Sequence, residues 1–238
     1  MRFKDKVVIV TGGASGIGKR LRERFEEEGA HVCVFDILPN DFFQGTLSNQ
    51  KMMDAFIKKV LSKYDHVDVL INNAPPVMQG IKEGSYEGFN HALLVGISAP
   101  FYLSQQLMDH FALGASIINI TSTRDAMSME ESESYAAAKG GLMALTHAMA
   151  ISLARRVRVN AIAPGWIDTK NEEHSAADRL QQPVGRIGTC DDVCELAMFL
   201  ASDAAGFITG EEIVLDGGMS RLMVYHGEHG WTFQSEEE

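Results

Sequence analysis

Short apolar runs alternate with longer amphipathic ones along nearly the whole chain. Residues 6–11, Lys-Val-Val-Ile-Val-Thr, are β-branched and lack polar alternation, the pattern of a strand buried on both faces. Helical spacing follows from Ile17 to Glu28 and stops at Gly29, a residue suited to the position after a helix. His31–Asp36 reads as a second strand, Phe42–Leu47 as a short third, and Asn49–Lys63 as a helix. Val67–Asn72 is the next strand. Tyr86–Phe111 reads as one long helix bent near Gly96 and Pro100. Then come a strand at Ala115–Thr121, a helix at Glu133–Arg155, a strand at Val157–Ile162, a helix at Asp191–Ala201 and a last strand at Glu212–Leu215.

Alternation of this kind predicts right-handed βαβ units, a mostly parallel sheet and helices on both of its faces. No linker, repeat or low-complexity tract divides the chain, so residues 1–238 read as one domain. Only residues 221–238 differ. They end in acidic side chains, carry His226, His229 and Trp231, and read as a terminal tail. Two histidines without further ligands make no metal site.

Composition narrows the partners. A net charge of −11 argues against a nucleic-acid groove or an anionic membrane surface, both of which need clustered Lys and Arg. No apolar run approaches the roughly 18 residues that span a bilayer. The N-terminus runs straight into a strand without the architecture of a signal peptide. Three cysteines, Cys33, Cys190 and Cys194, are an odd set without metal spacing, as expected of reduced thiols in a cytoplasm.

Two local patterns carry chemistry. Between the first strand and first helix stands Thr11-Gly-Gly-Ala-Ser-Gly-Ile-Gly18. Glycines there let the backbone approach a pyrophosphate, and the helix N-terminus offers it free N–H groups. Asp36 closes the second strand, where a carboxylate accepts both hydroxyls of an adenosine ribose and repels a 2′-phosphate. Ile37 and Leu38 offer no guanidinium, so the pattern favours NAD(H) over NADP(H). The second pattern is Tyr135 and Lys139, one helical turn apart, with Ser122 upstream at the end of an apolar run. An ammonium beside a phenol favours phenolate and is expected to draw its pKa below about 10, as a general acid or base requires.

Taken in order, these motifs resemble the short-chain dehydrogenase/reductase family from Lys6 to about Ser220. The resemblance also rests on Asn72-Asn-Ala74, Arg158-Val-Asn-Ala-Ile-Ala-Pro-Gly165 and Ile208-Thr-Gly-Glu-Glu-Ile-Val-Leu-Asp-Gly-Gly218. It implies a Rossmann-type, doubly wound parallel sheet of seven strands. It implies NAD(P)-dependent interconversion of an alcohol and a carbonyl on a small substrate. By that likeness Tyr135 is the general acid/base. Lys139 lowers its pKa and holds the nicotinamide ribose, and Ser122 orients the carbonyl. Gly12, Ser15, Gly16, Ile17, Gly18, Asp36, Leu47, Asn73 and Ala74 bind the cofactor, and Pro164, Gly165, Ile167 and Thr169 cradle its nicotinamide. Relatives pair through the helices matching Tyr86–Phe111 and Glu133–Arg155, which implies a homodimer or homotetramer.

The chain departs from the family at three places. Gly96 stands where the family has an asparagine that holds a water behind the catalytic lysine. Pro75 replaces the glycine of Asn-Asn-Ala-Gly, which is expected to reshape the loop beside the nicotinamide. Thr46 replaces an adenine-binding aspartate. These changes keep a second class open: a dinucleotide-binding sensor or scaffold without catalysis. The segment from Thr169 to Pro183, short and polar, falls at the family's substrate lid, with His174 expected at the surface. The substrate itself depends on loop side chains that these motifs do not fix.

Overall fold

The buried β-branched runs all enter one parallel sheet. In the computed structural model, which describes residues 1–232, its strands are β1 (Val7–Thr11), β2 (His31–Asp36), β3 (Phe43–Gln44), β4 (Val67–Asn72), β5 (Phe111–Ile120), β6 (Val157–Pro164) and, after two short strands, β9 (Glu212–Leu215). Their order is β3-β2-β1-β4-β5-β6-β9, so the chain runs outward on one side of β1 and then returns to run outward on the other. All adjacent pairs are parallel. This is the doubly wound arrangement, whose strand order reverses between β1 and β4 and opens a crevice beyond their carboxyl ends.

Helices cover both faces. One apolar layer, with Phe35, Phe56, Leu103, Leu107 and Ile117, lies under α2 (Gln50–Leu61), α4 (Ala99–Gln106) and α5 (Glu133–Ser152). The other, with Leu21, Phe25, Ile71, Ile118 and Met198, lies under α1 (Gly16–Glu27) and α7 (Cys190–Ala201). Cys33 and Cys194 belong to these layers, and all three cysteines are free thiols. Leu47, expected beside the adenine, is buried in the first layer.

The third strand is shorter than the apolar pattern suggested, two residues rather than six. Three short elements were not anticipated: β7 (Ile167–Asp168), which pairs with β8 (Gly188–Thr189), and α6 (Ala176–Leu180), which lies within the expected lid. Ser175 and Asp178 cap α6 reciprocally, so this polar segment folds on local hydrogen bonds. Residues 233–238 of the expected tail lie outside the described residues. No described helix is long and apolar enough to cross a membrane.

The long helix expected over Tyr86–Phe111 is instead three pieces. α3 (Tyr86–Leu93) passes into a π-helical turn at Leu94–Ser98, then into α4, and Phe111 already begins β5. Gly96 sits at the centre of the π turn, against α5. A Cβ there would stand 2.8 Å from the Cβ of Ala138 and 3.4 Å from Pro76. The glycine thus lets the turn press onto the residue before Lys139. An asparagine could not enter without moving α5.

Gly96→Ala should therefore cost about 1–3 kcal/mol by overpacking. Ala138→Gly should relieve much of that cost when the two are combined, because both changes act on one contact. A double-mutant cycle read by denaturant unfolding checks this. Strictly additive effects would show that the two residues do not press on each other.

Candidate active site

The glycine turn is built by a knot of hydrogen bonds at the ends of β1 and β4. Thr11 Oγ1 accepts from the backbone N–H groups of Asn73 (3.0 Å) and Ala74 (3.2 Å). Asn73 Nδ2 donates back to the carbonyls of Thr11 (3.0 Å) and Gly12 (3.1 Å). A Cβ on Gly18 would lie 2.0 Å from the Gly12 carbonyl oxygen, so only glycine lets α1 start this close to the turn. The start of α1 is also left open. Its N-cap, Ser15, makes no side-chain capping bond, and its first turn holds no acidic residue. By contrast Asn49, Ser85, Ser175 and Thr189 each cap their own helices. An uncapped N-terminus facing a cavity is suited to an anion.

Asp36 is buried at the end of β2. Its Oδ2 accepts from Ala14 N and its Oδ1 from Leu38 N, both at 2.8 Å. The carboxylate thus ties the glycine turn to β2 while each oxygen keeps a free lone pair.

A second chain of bonds sets α5 on the sheet. Asn72 Nδ2 donates to Asn119 Oδ1, Asn119 Nδ2 donates to Thr146 Oγ1, and Thr146 Oγ1 donates to the Leu142 carbonyl, each at 2.8 Å. At the N-terminal end of α5, Ser134 Oγ accepts from Gln79 N (2.7 Å) and donates to the Val77 carbonyl (3.0 Å). The loop that carries Pro75 and Pro76 is therefore fastened to the residue beside Tyr135.

On this frame the expected trio comes together. Lys139 is 2% exposed, and its Nζ donates to the Ile120 carbonyl at 2.5 Å. The ammonium lies 5.5 Å from the centroid of the Tyr135 ring. Burial lowers the Lys139 pKa to about 8, although Asp125 opposes the shift. Tyr135 departs from expectation. Burial raises its pKa, while the Ser122 hydroxyl and the Arg124 guanidinium lower it less strongly.

Beneath the trio lies a group that the motifs did not reveal. Glu212 of β9 approaches Thr121, whose hydroxyl has one hydrogen and two acceptors in reach: the Ile162 carbonyl at 2.9 Å and Glu212 Oε1 at 2.6 Å. A bond donated by Thr121 favours the charged form of Glu212. Burial nevertheless raises the Glu212 pKa, to about 7. Desolvation is the main cause, and Asp125 adds to it against the opposing bond from Thr121.

Two cavities meet at Tyr135. One, of about 300 Å³, is lined by Gly12, Ser15, Gly16, Ile17, Gly18 and Asn73 and by Ser122, Tyr135, Lys139, Pro164, Gly165, Ile167 and Thr169. Of the residues expected at a cofactor, only Asp36, Leu47 and Ala74 fall outside this lining. Asp36 stands behind Ala14, Leu47 is in the core, and Ala74 supports Gly12 from below. The other cavity, of about 630 Å³, shares Ser122, Tyr135, Gly165 and Ile167 and extends past Arg124, Trp166 and Gln181. His174 is partly buried. Its Nε2 lies 3.1 Å from Asp168 Oδ2, and its ring stands edge-on to Trp166. Arg124 and Trp166 were legible as neighbours of Ser122 and Gly165. Glu212 gave no signal, because its contact with Thr121 spans 91 residues. No cluster of ligands for a metal occurs among the described residues.

Comparison with known proteins agrees with this geometry. A family model described as enoyl-(acyl carrier protein) reductase matches residues 12–220. An uncharacterized oxidoreductase of Thermotoga maritima is 35% identical, over 94% of this chain and 99% of its own. Mouse L-fucose dehydrogenase is 33% identical, over 91% and 89%. Among solved structures, an apo SCOR enzyme from Clostridium thermocellum superposes with a TM-score of 0.89 at 38% identity, covering 98% of this chain and 99% of that one. Ligand-free aldohexose dehydrogenase of Thermoplasma acidophilum gives a TM-score of 0.88 at 28% identity, over 95% and 98%. With the reversed strand order, the open glycine turn and the Ser122, Tyr135 and Lys139 cluster, these matches identify the chain as an oxidoreductase of the short-chain dehydrogenase/reductase family.

Proposed function

We propose that the protein is an NAD(H)-dependent dehydrogenase that interconverts a small alcohol and its carbonyl, with Tyr135 as general acid/base. The observation that carries this reading is the meeting of two cavities at one phenol. The smaller fits a nicotinamide dinucleotide: the uncapped start of α1 would take the pyrophosphate, and Gly12 and Gly18 leave room for it. Asp36, with a lone pair free on each oxygen and Ile37 and Leu38 beside it, supports NAD over NADP. The dinucleotide supplies the hydride chemistry. The chain supplies position and a proton.

In the oxidative direction Tyr135 takes the proton of the substrate hydroxyl, and in the reductive direction it returns one to the oxygen. Ser122 donates to that oxygen as charge develops on it. Lys139, held on the Ile120 carbonyl, keeps its charge close to the phenol and favours the phenolate. Exposed Phe101 and Ile151 on α4 and α5 support pairing of copies through these helices. The free thiols suit a reducing compartment.

The test is a binding and turnover assay on one preparation, with its mass read by light scattering as two or four copies. NADH should bind at least about tenfold more tightly than NADPH. Tyr135→Phe should keep NADH binding while lowering carbonyl reduction by about 10³-fold or more. Retained turnover in that variant would overturn the acid/base role. NADH binding without turnover of any carbonyl by the wild type would favour a sensor.

The Glu212 carboxyl gives a separate, pH-dependent expectation. Its folded pKa lies above its unfolded value, so the folded state binds more protons between pH 4.5 and about 7. Stability should therefore fall as pH rises through that window. The group is only half-buried, so solvent screening leaves about 1–2 kcal/mol of the effect. Glu212→Gln, whose amide oxygen can still accept from Thr121, should flatten the decline and unfold later than wild type at pH 8. A decline of the same slope in the variant would place its source elsewhere.

A further inference from the structure

The larger cavity is lined by an arginine that makes no ion pair among the described residues. Arg124 follows Ser122 by two residues, in the 3₁₀ turn Thr123–Asp125, and its guanidinium carbon lies 5.9 Å from the centroid of the Tyr135 ring. Its terminal nitrogens face two thioethers, Met78 Sδ at 2.8 Å and Met129 Sδ at 3.0 Å. Thioether sulfur is a weak acceptor, whereas a guanidinium presents donors in a fork that matches carboxylate geometry. Arg124 has no ion pair among the described residues. Other arginines also lack an ion pair, but Arg124 is the one that lines the cavity shared with Ser122 and Tyr135.

The other charge lining this cavity is already engaged. Asp216 accepts from Gly218 N at 2.8 Å and Ser220 N at 2.6 Å, which hold its carboxylate in the turn after β9. The cavity thus carries one cation and one anion, and of the two Arg124 is the one whose polar atoms meet only thioethers, close to the hydroxyls of Ser122 and Tyr135. A single guanidinium with an aspartate across the cavity suits a monoanion better than a phosphate ester. The short distance to the phenol sets the anionic group only a few carbon atoms from the reacting carbon.

We propose that the substrate is a short hydroxycarboxylate, oxidised to the oxocarboxylate, with its carboxylate held by Arg124 and its hydroxyl between Ser122 and Tyr135. This rests on the dehydrogenase reading above. The carbinol C–H leaves as hydride to NAD⁺, the O–H proton goes to Tyr135, the C=O bond forms, and the carboxylate is unchanged. Neutral sugars, the substrates of the related L-fucose and aldohexose dehydrogenases, are the competing class.

The experiment compares 3-hydroxybutyrate and 4-hydroxypentanoate with their methyl esters and with L-fucose, using NAD⁺ and wild type, Arg124→Gln and Arg124→Lys. The acids should exceed their esters in kcat/KM by about 100-fold. Arg124→Gln should remove that advantage, whatever loss acids and esters share through its effect on Tyr135, and Arg124→Lys should restore part of it. Esters or L-fucose used as well as the acids by the wild type, or equal losses on acids and esters in Arg124→Gln, would overturn the proposal. A second arm needs no turnover. Butyrate should raise the thermal unfolding temperature of the cofactor-free wild type but not of Arg124→Gln, and butyramide should raise neither. If nothing is oxidised, the dehydrogenase reading fails and this arm alone decides the anion site. An equal butyrate shift in both proteins, or none in the wild type, would refute it.

Discussion

The site depends on a buried ammonium. Lys139 is almost wholly removed from water, and the bond from Nζ to the Ile120 carbonyl is what the chain offers it in return. Burying a charge costs several kcal/mol unless other groups compensate. That cost is tolerable only where the surroundings are rigid, and much of the fold around α5 provides the rigidity. The Asn72–Asn119–Thr146 chain fixes α5 against β4 and β5, Ser134 fixes its first turn to the loop after β4, and the π turn at Gly96 closes on Ala138. Each bond or contact acts within a few residues of Lys139 or Tyr135. The same elements hold the central sheet and position the acid/base pair.

The substitution of Gly96 for the family's asparagine takes on a different meaning in three dimensions. From sequence it reads as a lost water-holding side chain. In the structure the position is filled by contact: Ala138 and Pro76 occupy the space that a side chain would need. Pro76 follows directly on Pro75, so the two departures belong to one altered packing of the loop after β4 against α5. Charges near the trio are redistributed as well. Asp125 acts on both Lys139 and Glu212, and Arg124 acts on Tyr135.

The parallel sheet, its order of elements and the gathering of the site residues were legible in the sequence because they follow from local patterns. Apolar β-branched runs mark buried strands, and a glycine cluster between strand and helix marks a close backbone approach. What was not legible depends on contacts between distant segments. The π turn arises from the fit of Gly96 to Ala138, 42 residues later (138 − 96). The raised pKa of Glu212 arises from burial and from Asp125, far off in sequence, and the upward shift of Tyr135 from a burial that Tyr-x-x-x-Lys spacing does not reveal. Leu47, which the family resemblance set at the cofactor, lies in the apolar layer that also holds Phe35 and Phe56.

The claim on which the site turns is that Lys139 is a buried, desolvated ammonium. Carbon-13 labelling of the lysine side chains, followed by NMR through a pH titration, reads this directly, with Lys139→Arg assigning the resonance. A single lysine should titrate near pH 8, well below the exposed lysines, and vanish in the variant. If every lysine instead titrates above about pH 10, as free lysine does, Lys139 is solvated and the account of the site is wrong.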